Sequence, residues 1–148
     1  MIQRELNSTN SNKCIAYVDG SYNAKTEDCG YGIILFFNDD ILEFSGIFHN
    51  ASKLGWNVHG EILGAMKAVT EAQLLKAKEI EIRYDYMGIE KWATGEWKAN
   101  KDNTKEYVKF MEEAGKNIEI TFTKVKAHSF NKWNDRADVL AKQAVGII

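Results

Sequence analysis

An apolar run rich in strand formers, Ala16-Tyr17-Val18, stops abruptly at Asp19-Gly20-Ser21. Such a run reads as a buried strand that delivers one carboxylate to the rim of a sheet, with a tight turn after it. Alone the signature is weak, because Asp-Gly-Ser is also an ordinary hairpin turn. Recurrence gives it weight. Glu61, Asp85 and Asp138 each fall where a later element begins or ends.

The first strand is expected over residues 14–19, followed by a polar turn through Asp28. Residues 30–37, Gly-Tyr-Gly-Ile-Ile-Leu-Phe-Phe, form a continuous apolar run and predict a central strand. Asn38-Asp39-Asp40 then turns the chain into a third strand over 41–48. Three strands joined by short turns make an antiparallel meander.

The period changes next. Between Asn57 and Lys76, Val58, Ile62, Ala65, Met66, Val69 and Ala72 recur at helical spacing. Gly60 and Gly64 lie inside this stretch, where each costs roughly 1 kcal/mol relative to Ala. Their expected use is close approach of the helix to the sheet. Glu61 falls near the first turn, where an acid would also suit the helix macrodipole. Residues 79–84 alternate cleanly as a half-buried fourth strand that ends at Asp85. If the helix crosses over in the usual right-handed sense, the first and fourth strands are parallel and share one C-terminal edge. Ligands of such sheets bind at that edge. Two carboxylates there, joined by Glu61, repel one another unless a cation intervenes. That argues for a hard, oxygen-ligated metal, Mg²⁺ first.

Further on, residues 88–94 and 102–115 predict helices, and 117–124 alternate as a fifth strand. A polar loop over 126–132 leads to Asn134, the expected N-cap of a last helix reaching Val145, with Asp138 one turn inside.

Composition sets the outer bounds. A chain of 148 residues with 45% hydrophobic content suits one domain, here residues 13–148 behind a frayed lead of residues 1–12. The net charge of -2 excludes global basicity, so any nucleic-acid contact has to be a local patch. Cys14, in the first strand, and Cys29, in the following turn, make no metal-like cluster and read as free thiols of a reducing cytosol. The first 13 residues lack an apolar signal core, and no run approaches membrane-spanning length. A soluble cytoplasmic monomer is the expectation.

The chain resembles ribonuclease H of the type 1 family over roughly residues 13–146. The residues that carry the likeness are Tyr17-Val18-Asp19-Gly20-Ser21, Gly30-Tyr31-Gly32, Asn57 with Glu61, and Tyr84-Asp85. To these add Val125-Lys126-Ala127-His128 followed by Asn134-Asp135-Arg136-Ala137-Asp138. The spacing of that tail is quite specific. The resemblance implies an α/β fold with a five-stranded mixed sheet, three strands antiparallel and two parallel, flanked by helices. It also implies endonucleolytic cleavage of the RNA strand of an RNA–DNA hybrid, leaving 5′-phosphate and 3′-hydroxyl ends. By the same match Asp19, Glu61, Asp85 and Asp138 would ligate two Mg²⁺ ions, with Mn²⁺ as a substitute. His128 would match the family's mobile histidine, whose near-neutral pKa suits proton transfer or product release. Asp135 competes for the fourth ligand position, but the Ala-Asp motif favours Asp138.

Hybrid recognition needs a 2′-hydroxyl sensor on one strand and phosphate or stacking contacts on the other. The family match places the first in the backbone of Gly20 and Ser21 and in Asn23 and Asn57. Trp97, Lys98 and Lys101 supply aromatic and basic character for the second, with Lys105 and Lys109 after them, whereas Trp92 reads as core. The chain also departs from the family. The long basic protrusion many members carry is missing between Trp92 and Tyr107, and Trp56-Asn57-Val58 stands where Thr-Asn followed by Asn or Gln is usual. Tyr22-Asn23-Ala24-Lys25 resembles the subgroup found behind viroplasmin-like modules. The alternative is a non-catalytic hybrid- or RNA-binding module on the same fold, which would be expected to lose acids. All four are present.

Overall fold

Five strands build one sheet, in the spatial order 40–48, 28–37, 13–23, 79–84, 119–124. The computed structural model describes Thr9 and residues 12–51, 57–126 and 131–148, with Asn57 described by its backbone alone. The strands are β1 (Lys13–Asn23), β2 (Asp28–Phe37), β3 (Asp40–Phe48), β4 (Glu79–Tyr84) and β5 (Glu119–Lys124). The helices are α1 (Asn57–Leu74), α2 (Gly88–Thr94), α3 (Asp102–Ala114) and α4 (Lys132–Ala144). β1, β2 and β3 pair antiparallel, whereas β4 runs parallel to both β1 and β5. The expected mixed α/β sheet is therefore the observed one.

Two apolar layers follow from the strand alternation. On one face Cys14, Ala16, Val18, Ile33, Leu35, Ile80 and Ile82 pack under α1 and α3. On the other, Ile15, Tyr17, Ile34 and Phe36 meet Trp133, Ala137 and Leu140 of α4. β4 shows its polar positions to this second face, where Arg83 donates to Glu81 Oε2 at 2.8 Å and to the Tyr17 hydroxyl at 2.7 Å. Among the described residues no helix is long and apolar enough to cross a membrane.

Two glycines let helices approach the sheet more closely than a side chain allows. A Cβ on Gly60 of α1 would stand 2.2 Å from the Gly30 carbonyl oxygen, as the helix pattern predicted. On the opposite face, a Cβ on Gly32 would stand 2.1 Å from the Ala137 carbonyl oxygen of α4. β2 is thus gripped from both sides. Elsewhere the turns close as the sequence indicates. Asn38 takes the left-handed conformation in the β2–β3 hairpin, and Gly95 does so after α2.

Several boundaries differ from expectation. β1 does not stop at Asp19: it stays paired with β2 as far as Asn23↔Asp28, so Gly20, Ser21 and Tyr22 are strand residues rather than a turn. Cys29 accordingly lies buried within β2, not in the turn, and both cysteines are free. α1 ends at Leu74, where Lys76 turns left-handed and the Ala77 amide reaches back to the Ala72 carbonyl at 3.0 Å. The N-cap of α4 is Asn131, not Asn134: its side-chain oxygen accepts from the Trp133 and Asn134 amides, both at 3.1 Å. Either asparagine satisfies the local rule, and burial of Trp133 and Asn134 decides for the earlier one. Asp138 consequently sits deeper in the helix than one turn. The lead is tied down at its described residues, since the Asn12 carbonyl accepts from the Lys78 and Glu79 amides at 2.7 Å and Thr9 donates to the Asn38 carbonyl.

Candidate active site

Strand register brings the first two acids together. Parallel pairing of β1 with β4 closes at Tyr17↔Arg83, so Asp19, within β1, and Asp85, just past the end of β4, each lie two residues beyond the last pair. Both continue the alternation of Tyr17 and Arg83, which belongs to the α4 face. Asp19 pairs across β1–β2 with Gly32, the position where α4 comes closest to the sheet. That contact puts Asp138 beside Asp19, within hydrogen-bonding reach of its carboxyl. Glu61 arrives from α1 in the opposite layer. Its Oε1 accepts the backbone amides of Asp85 at 3.2 Å and Tyr86 at 3.3 Å. Four carboxylates from four elements meet at one rim.

The electrostatics follow from crowding in a poorly solvated place. Burial pushes the Asp19 carboxyl up to about 7, helped by Asp138 and Asp85 and opposed by the Gly20 amide, which donates to Asp19 Oδ1 at 2.9 Å. Burial likewise pushes Glu61 up to about 8, with Asp19 adding to the rise and the Asp85 and Tyr86 amides working against it. Asp138 carries a local counter-charge, because Lys142 Nζ lies 2.9 Å from its Oδ2. Among the described residues, no group of three or more acid, histidine or cysteine side chains is arranged to hold a metal ion as it stands.

A pH dependence of stability follows for the metal-free protein. The two acids titrate near 4 when unfolded and near 7 and 8 when folded. Their protonated forms therefore favour the fold below about pH 4, and that stabilisation drains away as pH rises through 7 to 8. His59, which burial holds below its ordinary 6.5, acts in the opposite sense at lower pH. Between pH 6.5 and 8 in chelator, thermal melts are expected to lose about 2 kcal/mol of stability. Saturating Mg²⁺ should restore most of that at pH 8, and a flat profile in chelator would contradict the acid cluster.

The remaining sequence candidates separate clearly. Ser21 is buried beside the rim, one residue past Gly20. Asn23 is engaged at both ends of its amide: Nδ2 donates to the Val145 carbonyl at 2.8 Å, and Oδ1 accepts from the Lys25 amide at 2.9 Å. It closes the β1–β2 turn and ties down the end of α4. Trp97, Lys98 and Lys101 are exposed. Trp92 packs partly against the core, as expected. The Asn57 side chain and His128 lie outside the described residues.

Three features escaped the sequence. Tyr86, directly after Asp85, is exposed and meets both tryptophans edge-on or tilted, at ring distances of 5.9 Å to Trp92 and 6.3 Å to Trp97. The two tryptophans meet each other at 5.9 Å. Sequence order gave no hint that the three rings cluster. His59 is buried against Phe48, and its Nδ1 lies 3.1 Å from Asn103 Nδ2, joining the starts of α1 and α3. Lys142 was legible in principle, as a cation one helical turn beyond Asp138.

Comparison with known proteins bears on this arrangement. The model of the RNase H family matches residues 11–146. A ribonuclease H of Francisella philomiragia is 34% identical over 150 residues, covering 93% of each chain. One from Chlorobium luteolum is 29% identical, covering 90% of this chain and 95% of its own. Among solved structures, RNase H1 of the archaeon Halobacterium salinarum superimposes with a TM-score of 0.76 at 24% identity, covering 93% of this chain and all of that one. LC11-RNase H1 in complex with an RNA/DNA hybrid gives a TM-score of 0.73 at 20% identity, covering 89% and 96%.

Proposed function

The chain belongs to the RNase H family and is a ribonuclease H; on that premise we propose that it hydrolyses the RNA strand of RNA–DNA hybrids with two divalent ions held by Asp19, Glu61, Asp85 and Asp138. The observation that carries this reading is the convergence of four carboxylates from β1, α1, the end of β4 and α4 at one rim. Burial, with the neighbouring carboxylates adding to it, makes two of them hold protons unusually tightly, as expected of crowded buried acids that no cation neutralises. All-oxygen donors of this kind fit Mg²⁺, with Mn²⁺ as a substitute. Bound there, such ions would supply an activated water and charge stabilisation for an in-line displacement. Products with 5′-phosphate and 3′-hydroxyl ends belong to the same proposal.

The chain's own residues prepare the site. Glu61 is held through Oε1 by two backbone amides, which fixes its carboxylate relative to Asp85. The Asp19 carboxylate is turned by the Gly20 amide. Gly20 and Ser21, in a strand next to Asp19, are the candidates for sensing the ribose beside the scissile phosphate, together with Asn57. Because both ends of the Asn23 amide hold the fold together, the direct ribose contact is assigned to those three instead. His128 is proposed to move protons or help release product.

For the DNA strand, the exposed Tyr86 and Trp97 rings, backed by the half-buried Trp92, offer a stacking surface, and Lys98 and Lys101 supply the adjacent charge. Trp97→Ala is expected to weaken hybrid binding about 10-fold, read as a raised KM with kcat little changed. Lys98→Ala with Lys101→Ala should flatten the salt dependence of binding by a slope of about 1 to 2. Unchanged KM and slope would move the DNA contact elsewhere.

The direct test is cleavage of a labelled RNA–DNA hybrid, with single-stranded and duplex RNA as controls, in Mg²⁺, Mn²⁺ and chelator. Metal-dependent cutting confined to the hybrid's RNA strand is the expected result. Binding without cutting would instead favour a hybrid-binding module.

A further inference from the structure

The charge at the rim does not end with the acids. Lys142 lies one turn beyond Asp138 on α4, and its ammonium sits 2.9 Å from Asp138 Oδ2. The same ammonium is coupled electrostatically to Asp19, whose carboxyl is in turn within hydrogen-bonding reach of Asp138. An ordinary surface pair at this spacing would join only its two partners. Here the lysine also feels a second acid, Asp19 of β1, while its own ion pair with Asp138 stays partly exposed.

We propose that Lys142 is a built-in placeholder cation, which occupies Asp138 when no divalent ion is bound and must leave it before Asp138 can ligate one. This rests on the four-acid metal reading. The step is an exchange of cations at one carboxylate: no covalent bond breaks, and the ammonium keeps its proton and turns to solvent. A flexible four-carbon stem allows that movement without shifting the helix. Lys142 is a positioning residue in this account, since it acts on the metal through Asp138. The consequence is a divalent affinity lower than the four acids alone would give, and a metal-free site protected from full like-charge repulsion.

The test is calorimetric titration of Mn²⁺ into the metal-free, full-length protein, with folding of every variant checked by circular dichroism and melting in chelator. Lys142→Gln is expected to bind Mn²⁺ about 2- to 5-fold more tightly than wild type. Lys142→Arg, which keeps the charge, should restore wild-type affinity. Lys116→Gln removes a cation paired with Glu113 ahead of β5, at the far edge of the sheet, and should leave affinity unchanged. Equal affinity for wild type and Lys142→Gln overturns the proposal, as does weaker binding in the variant, which would make the lysine a builder of the site. The two readings fail differently. If wild type takes up no Mn²⁺, the metal site itself is wrong; if uptake is present and lost in Asp85→Asn while Lys142→Gln matches wild type, only the placeholder is wrong.

Discussion

Asp85→Asn is expected to abolish hybrid cleavage, lowering kcat by about 1,000-fold or more, while leaving the metal-free protein at least as stable as wild type. The two halves of this result have one cause. Asp85 lies just past the end of β4, beside Asp19 of β1, and raises both Asp19 and Glu61 by its charge. Removing that charge takes away one of the four oxygens proposed to bind metal and also relieves repulsion in the cluster. The Asp85 amide that holds Glu61 belongs to the backbone and survives the substitution. Single-turnover cleavage and thermal melting in chelator read the two effects separately. A variant that cuts at a near wild-type rate removes Asp85 from the site; one that has lost activity together with several degrees of melting temperature makes its role structural.

Gly32→Val carries the largest expected cost in stability. A Cβ at Gly32 would meet the Ala137 carbonyl oxygen at 2.1 Å, Leu140 Cβ at 2.7 Å and the Ala141 amide nitrogen at 2.9 Å. Two of these are main-chain atoms of α4 and the third is tied to its backbone, so no flexible tip can yield. The helix has to lift, at a cost of about 3 kcal/mol or more, which corresponds to a fall in melting temperature of roughly 6–12 °C for a domain of this size. Activity should fall further than stability explains, because Gly32 is the pairing partner of Asp19 and its contact with α4 sets where Asp138 arrives. Gly46→Ala is the control. Its Cβ would meet only the outer atoms of the Tyr31 ring, all at 2.6 Å, which can swing aside. Melting and cleavage of both variants decide the matter: equal losses would mean that close approach at Gly32 is not what positions α4.

Much of this was written in local sequence. β4 and α2 stand where alternation and helical spacing place them, at Glu79–Tyr84 and Gly88–Thr94. The apolar period decides between strand and helix whatever the neighbours are, since each element must bury one face. Gly60 and Gly64 announced a close helix–sheet contact for the same reason. A residue that costs helix stability is tolerated where a side chain has no room.

Choices between locally equivalent options were not legible. Asn131 and Asn134 are equally good caps, and only the burial of Trp133 and Asn134 within the first turn of α4 selects the first. Asp-Gly-Ser satisfies a turn and a strand alike, and pairing with β2 out to Asn23↔Asp28 makes it a strand. That the Asn23 amide donates to the Val145 carbonyl at the end of α4 was equally hidden, since the two lie 122 residues apart in the chain.

Local sequence carries the element types, their order and the expectation that Asp19, Asp85 and Glu61 share one edge, because periodicity and chain punctuation are local properties. Only the packed sheet shows how far β1 runs past Asp19, that Lys142 neutralises Asp138, and that Tyr86 joins Trp92 and Trp97. Those facts depend on register between strands 66 residues apart and on the depth to which Gly32 lets a helix settle. Both are set by packing across the whole sheet, which no stretch of sequence encodes alone.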